Sequence, residues 1–397
     1  MKIIGWDPGR MYDKGYSVSS GKEIKTLAVN AVCMGYKLKN LEVKDDVEDL
    51  SSLLDVEIYE DLQCVGRFFV GDLAYRSNRG DLIISSNNIS KFSKEMMLYD
   101  KVRMLTHIAY SNYLSDEKDE CVKCRIGTGV PTDEYFDDNN NLDIFRQEIC
   151  RRYTVKFMQE QFNNYATNIE IESLNFKPEG TSTAINTKFT IDMKLDIESN
   201  KYVKDQLGDE YLILNLGSST IDAAILKNGE FIPIGFFGLE IGSSTVLNHI
   251  INDLDEICGY RPDKVTMDYL LMHTDHISYK GCEINIAEIA KPRYANLLMQ
   301  IKVALLNKLE LKNISFKNLT GVYLAGGLVK MISDYNHELL KEFLPIKTVI
   351  SNDPIYDEAK GYHLSALAEY KKKEAAKEAT MGIESTRADD KKVIKVG

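Results

Sequence analysis

The sequence is short of the residues that mark several large classes of protein. Its 397 residues include only 8 prolines and 25 glycines, too few for a collagen-like or low-complexity chain. Basic side chains are outnumbered: 49 Lys and Arg against 60 Asp and Glu give a net charge of −11. Phosphate backbones are gripped by basic faces, so this balance speaks against direct nucleic-acid binding and leaves a basic protein partner open. The longest weakly charged stretch, 231–251, still contains Glu240 and is broken by Pro233, Gly235, Gly238 and Gly242. A membrane span needs about 20 steadily apolar residues, so none is expected. The opening Met1-Lys2-Ile3-Ile4-Gly5-Trp6-Asp7 runs straight into a strand and turn, unlike a cleavable leader. The seven cysteines (33, 64, 121, 124, 150, 258 and 282) are odd in number and scattered. They read as reduced thiols, and a cytoplasmic location is expected.

What remains is ordinary globular protein. Apolar residues make up 44% and charged residues 27%, enough for two or three domains with real cores at this length. Strand–turn–strand patterns fall at the start of the chain, where Ile3, Ile4 and Trp6 lead through Pro8-Gly9 to Tyr16-Ser17-Val18, and again from Val56-Glu57-Ile58-Tyr59 to Phe68-Phe69-Val70. Helical spacing predicts helices over 97–114, 243–258 (capped by Ser243 or Ser244) and 294–311. Residues 121–126, 153–157, 169–176, 211–216, 221–226 and 322–325 read as strands, and 137–141 as a loop before a helix reaching Cys150. The last 27 residues carry 13 charges and no aromatic residue, the composition of a frayed helix and a tail without a core.

Two segments far apart in the chain share one design. Gly5-Trp6-Asp7-Pro8-Gly9-Arg10-Met11-Tyr12-Asp13-Lys14-Gly15 and Leu212-Ile213-Leu214-Asn215-Leu216-Gly217-Ser218-Ser219-Thr220-Ile221-Asp222 are each an apolar strand, an oxygen-bearing residue, a small-residue turn and a returning strand. Such a turn aims backbone N–H groups at an anion, and glycine allows close approach. A polar side chain at the strand end suits Mg²⁺, which keeps several waters and takes few protein ligands. Lys14 can supply a point charge for phosphates. One such hairpin is an ordinary β-turn. A pair suggests a duplicated fold with a nucleotide between its halves. Tyr323-Leu324-Ala325-Gly326-Gly327-Leu328 adds a strand-to-helix glycine turn on which a flat base could lie.

In this order, with a closing helix at 355–370 that holds Ala359 and Gly361, the segments resemble the actin / sugar-kinase / heat-shock ATPase superfamily over residues 1 to about 370. Gly127-Thr128-Gly129-Val130-Pro131, with Tyr135 beyond it, looks like the first connecting segment of the plasmid-segregation actins of the ParM/StbA type. Phe176-Lys177-Pro178-Glu179-Gly180 looks like their segment with the hydrolytic glutamate. The resemblance implies an α/β, actin-like (ribonuclease-H-like) duplicated fold. Its halves would be 1–179, with a small inserted subdomain at about 30–95, and 180–349, followed by a closing segment at 350–372 and a charged tail at 373–397. It implies a filament-forming nucleotide hydrolase that polymerises with ATP or GTP and Mg²⁺ and moves plasmid DNA through a DNA-binding adaptor protein, with no membrane contact.

In that reading Glu179 is catalytic and Gly9, Arg10, Lys14, Gly217, Ser218, Ser219 and Thr220 bind phosphate. Gly326, Gly327 and Leu328 receive adenosine, Asp7 and (through water) Asn215 serve the metal, and Asp222 is a further carboxylate for it or a structural one. Asn215 departs from the family, which usually has Asp there. An amide keeps a hydrogen-bonding oxygen but loses the charge, so weaker Mg²⁺ dependence or slower hydrolysis is expected. Arg10 stands where small residues are common, and is expected either to reach the γ-phosphate or to point into solvent.

Other groupings read as structural. Cys121-Val122-Lys123-Cys124 would lie on a strand, where residues three apart diverge, and no second such pair completes a zinc site. His273, Asp275 and His276 near Cys282 fit one helix face as surface polar residues, and residues 44–49 fit a solvated loop. Two alternatives stay open within the superfamily: a small-molecule kinase, and a cell-shape or division actin. The first needs a base and an acceptor pocket; the second often carries an amphipathic membrane helix.

Overall fold

A computed structural model describes residues 1–36, 50–77, 83–84, 94–130, 135, 139–191 and 197–393; for 83–84, 94–96, 139–140, 191 and 378–393 it describes the backbone alone. Residues 44–49 and Pro131 lie outside the described residues.

Two sheets repeat one plan. In the first, strand Lys2–Pro8 pairs antiparallel with Tyr12–Ser19 and parallel with Cys121–Val130, which pairs parallel with Ala166–Pro178. In the second, Glu210–Leu216 pairs antiparallel with Ile221–Lys227 and parallel with Gly321–Ala325, which pairs parallel with Lys347–Ile350. Each half thus opens on a hairpin and continues through crossovers to parallel neighbours, and the central strands of the second sheet are buried on both faces, with Leu212, Leu214, Val322 and Leu324 on one and Ile213 and Tyr323 on the other. Segments Ala31–Met34, Asp55–Glu60 and Gln63–Val70 extend the first sheet beyond Arg152–Phe157.

Most predicted elements form, with informative differences. The strand predicted over 121–126 runs on to Val130 through Gly127 and Gly129. Helix Asp357–Val393 lies directly on that backbone: a Cβ on Gly127 would sit 2.1 Å from the Tyr362 carbonyl oxygen, and one on Gly129 1.9 Å from the Tyr362 hydroxyl. Gly5 meets the same helix, with the Ala359 carbonyl oxygen 1.8 Å from its would-be Cβ. These glycines serve packing rather than a turn. A helix begins at Asn139, inside the segment expected to be a loop.

The helix predicted from 294 starts instead at Ile286 and passes through Pro292. The side chain of Asn285 caps it by accepting from the Glu288 amide, and Ile286, Ala287 and Ala290 are buried, so packing outweighs the donor that proline removes. The helix Asp357–Val393 carries on through the charged segment. His273 ends helix Lys264–His273, whereas His276 begins strand His276–Tyr279, so the two do not share a helix face. Among the described residues no group of three or more His, Cys, Asp or Glu is placed to hold a metal. Cys121 is exposed and Cys124 buried on their strand, as alternation requires, and both are free thiols. No helix among the described residues is long and apolar enough to cross a membrane.

Candidate functional site

The two hairpins point their turns into one cleft of about 690 Å³, lined by both halves. On the first side, cross-strand partners Asp7 and Lys14 close the pair, with Lys14 Nζ donating to Asp7 Oδ2 at 2.6 Å. The turn between them is fastened from behind. The Gly9 amide donates to the Asp7 carbonyl at 2.9 Å, and Asn30 Nδ2 donates to the Gly9 carbonyl at 2.7 Å. Arg103 holds Asn30 in turn, and also Asp100 and, at 2.8 Å, Asp13. Burial alone would depress Lys14, but Asp7 and then Glu358 outweigh it and hold the ammonium above its ordinary pKa. Arg10 is exposed at the cleft's edge.

On the second side, Asn215 faces Asp222 in register and the Gly217 amide donates to the Thr220 carbonyl at 3.0 Å. Neither Ser243 nor Ser244 caps the next helix with its side chain. The N-cap is Gly242, and the free amides at the helix start bond the turn instead: Ser244 N to the Ser218 carbonyl at 2.7 Å and Ser243 N to the Gly217 carbonyl at 3.3 Å. The expected cap is therefore replaced by a device that pins the 217–220 turn. Gly242 permits it, because a Cβ there would lie 2.4 Å from the Ser218 oxygen.

The glycine turn after strand Gly321–Ala325 closes the third side. Gly326 has φ +99°, and its would-be Cβ would strike the Leu216 carbonyl oxygen at 2.3 Å and Asn215 Oδ1 at 2.6 Å, so only glycine fits. Gly327 has open space where a side chain would stand, and Leu328 lines the cleft. Glu179 also lines it, its amide donating to the Val130 carbonyl at 2.8 Å. Gly180 follows at φ +83°, against Asp222.

The structure thus brings Asp7, Gly9, Arg10, Lys14, Glu179, Asn215, 217–220, Asp222 and Gly326 to Leu328 to one cavity. It adds Glu358, which sequence reading passed over although it adjoins the quoted Ala359. Burial, with Asp7 and Asp222 adding, pushes the Glu358 carboxyl well above the usual range, and Lys14 opposes the shift. Burial and then Glu179 and Asp7 push Asp222 up to about 7, against the pull of Arg10. Crowded carboxylates of this kind favour added positive charge. Asp7 and Asn215 are only 5% and 6% exposed and offer hard oxygen donors with few ligands between them. That suits Mg²⁺ completed by water and a bound anion. Chemically the cleft can take a polyanion between two amide-rich turns, with a carboxylate, Glu179, at hand.

This is the actin-like fold, duplicated and α/β, with its cleft between the halves. Among solved structures the chain is similar to Bacillus thuringiensis ParM with ATP (TM-score 0.69, 17% identity, covering 93% of this chain and 99% of that one). The same protein in apo form gives a TM-score of 0.62 at 16% identity, over 94% and 98% of the two chains. Ta0583, an archaeal actin homolog, gives 0.65 at 17% identity, over 92% and 99%. No protein-family model matches the chain, and no curated protein does either. At these identities the likeness defines the fold.

Proposed function

We propose that this chain is a filament-forming actin-like nucleotide hydrolase that polymerises with bound ATP or GTP and segregates plasmid DNA. The carrying observation is the convergence of the Asp7–Lys14 and Asn215–Asp222 hairpins on one cleft. Lys14 and the amides near Gly9 and 217–220 bind the phosphates, with Arg10 at their edge. Gly326, Gly327 and Leu328 form the shelf for the nucleoside. Asp7 and, through water, Asn215 would hold Mg²⁺, with Asp222 beside them, and the ion would supply charge neutralisation for the phosphates. Glu179 orients the attacking water and accepts its proton, a role that suits a cleft carboxylate.

Subunits associate head to tail, a contact that does not close on itself and so makes open strands. Different affinities of the two nucleotide states for the filament couple hydrolysis to disassembly. The resemblance of the 127–131 segment to plasmid-segregation actins supports DNA cargo, and the charge of −11 favours an adaptor protein as the link to it in the cytoplasm. Light scattering and negative-stain microscopy after adding Mg-ATP or Mg-GTP test this. Filaments with phosphate release and no added acceptor are expected. Dispersed protein that consumes nucleotide only with an acceptor hydroxyl would instead make it a kinase.

A further inference from the structure

Helix Asp357–Val393 starts with two acids, the residues that a helix N-terminus favours. Neither behaves as a solvated cap. Asp357 is buried and accepts from Asn186 Nδ2 at 2.8 Å and from the Tyr323 hydroxyl at 3.1 Å. Glu358 Oε1 accepts from the Gly180 amide and from Ser182 Oγ, both at 3.4 Å. The helix backbone rests on the same segment: a Cβ on Gly361 would lie 1.9 Å from the Ser182 carbonyl oxygen. From the other side, Asp222 Cβ lies 3.0 Å from where a Gly180 Cβ would stand. The turn that presents Glu179 is therefore clamped between this helix and the end of strand Ile221–Lys227. The same helix turn touches Gly5, two residues before Asp7. One rigid element thus fixes the distance between the Asp7–Lys14 pair and Glu179.

We propose that Glu358 is a positioning residue for hydrolysis, whose carboxylate oxygen holds the Gly180 turn and so sets Glu179 against the bound nucleotide. This rests on the reading of Glu179 as the hydrolytic carboxylate. What Glu358 contributes is an acceptor in a fixed place rather than a contact to the substrate. Displacing a reacting group by about 1 Å can cost on the order of 100-fold in rate without a matching loss of binding.

The test uses the full chain, with single-turnover phosphate release from Mg-ATP and ATP affinity measured separately. Glu358→Ala is expected to slow turnover about tenfold or more while ATP affinity changes little. Glu358→Gln, which keeps the acceptor, restores most of the rate. Asp357→Asn, in the same helix turn but bonded to Tyr323 and Asn186, lowers thermal stability without the selective loss of rate. Undiminished turnover in Glu358→Ala overturns the inference, and so does an equal loss in Glu358→Gln. If Glu358→Ala does not fold, Ser182→Ala removes one of the two donors to Glu358: slower turnover at unchanged affinity supports the inference, and wild-type turnover overturns it. A wild-type protein that releases no phosphate takes down the underlying reading and this inference together. Wild-type turnover with an undisturbed Glu358→Ala variant takes down this inference alone.

Discussion

Asn215 sits opposite Asp222, with its side-chain oxygen against Gly326, where an added negative charge would draw a hydrated cation more strongly. Asn215→Asp is expected to raise the rate of phosphate release, and an unchanged or lower rate rejects the role given to Asn215. Glu179→Gln keeps size and loses the base, so phosphate release should fall by about 10²–10⁴-fold while filaments still form with nucleotide; filaments that turn over nucleotide at the wild-type rate contradict it. Asp268, also lining the cleft, is pushed by burial up to about 7, with the neighbouring Tyr12 hydroxyl pulling the other way. A carboxyl whose folded pKa lies above its unfolded value stabilises fully below the unfolded value and loses that stabilisation as pH rises to the folded one. The nucleotide-free protein should therefore lose up to a few kcal/mol between about pH 4 and 7 through this group. Asp268→Asn should flatten that part of a melting-temperature profile, and an unaltered slope would show that Asp268 does not titrate there. Asp7, Lys14, Asn215 and Glu179 were legible because each sits beside its own turn in the sequence. Glu358 was not, because its partner Gly180 is 178 positions away and no local pattern announces it.

At the scale of elements, the hairpins and the other strands followed from alternation and glycine punctuation, and the structure has them, whereas the parallel pairing of strands far apart in the chain is set by the fold. Three features did not follow. Glycine at 127 and 129 looked like the end of a strand, but it marks where helix Asp357–Val393 rests on the strand backbone. Pro292 and the sequence before it gave no helical start at Ile286, because the buried face that supports it comes from tertiary contact. Ser243 and Ser244 looked like caps, yet their amides bond a turn whose position only the fold defines. The first of these has a direct consequence. Gly127→Ala pushes a methyl group to within 2.1 Å of the Tyr362 oxygen, and overpacking of this kind costs typically 1–3 kcal/mol. Urea melts should show that loss at an unchanged slope; a variant as stable as the wild type would mean the helix is not seated on the strand.

Across the whole molecule, the halves also meet through residues outside the lining of the cleft. The Tyr75 hydroxyl on helix Asp72–Ser77 donates to Asp263, which caps helix Lys264–His273 of the other half through the Val265 and Thr266 amides. Val265, like Tyr12, Tyr36 and Tyr75, packs against the buried cluster of Val29, Ala31, Cys33, Phe69, Leu73 and Ala74 in the first half. Tyr75→Phe removes one bond worth about 1 kcal/mol and is expected to speed release of a fluorescent ATP analogue about fivefold, with fold stability nearly unchanged; an unaltered release rate would show that this contact does not hold the cleft shut. The central claim is that both halves grip one nucleotide, and calorimetric titration of Mg-ATP into the wild type, Lys14→Ala and Gly217→Val proteins tests it most directly. The wild type should bind one nucleotide per chain, and each substitution, one in either half, should weaken binding by about tenfold or more. Full-strength binding that survives either substitution, or no binding by the wild type to ATP or GTP, would contradict it.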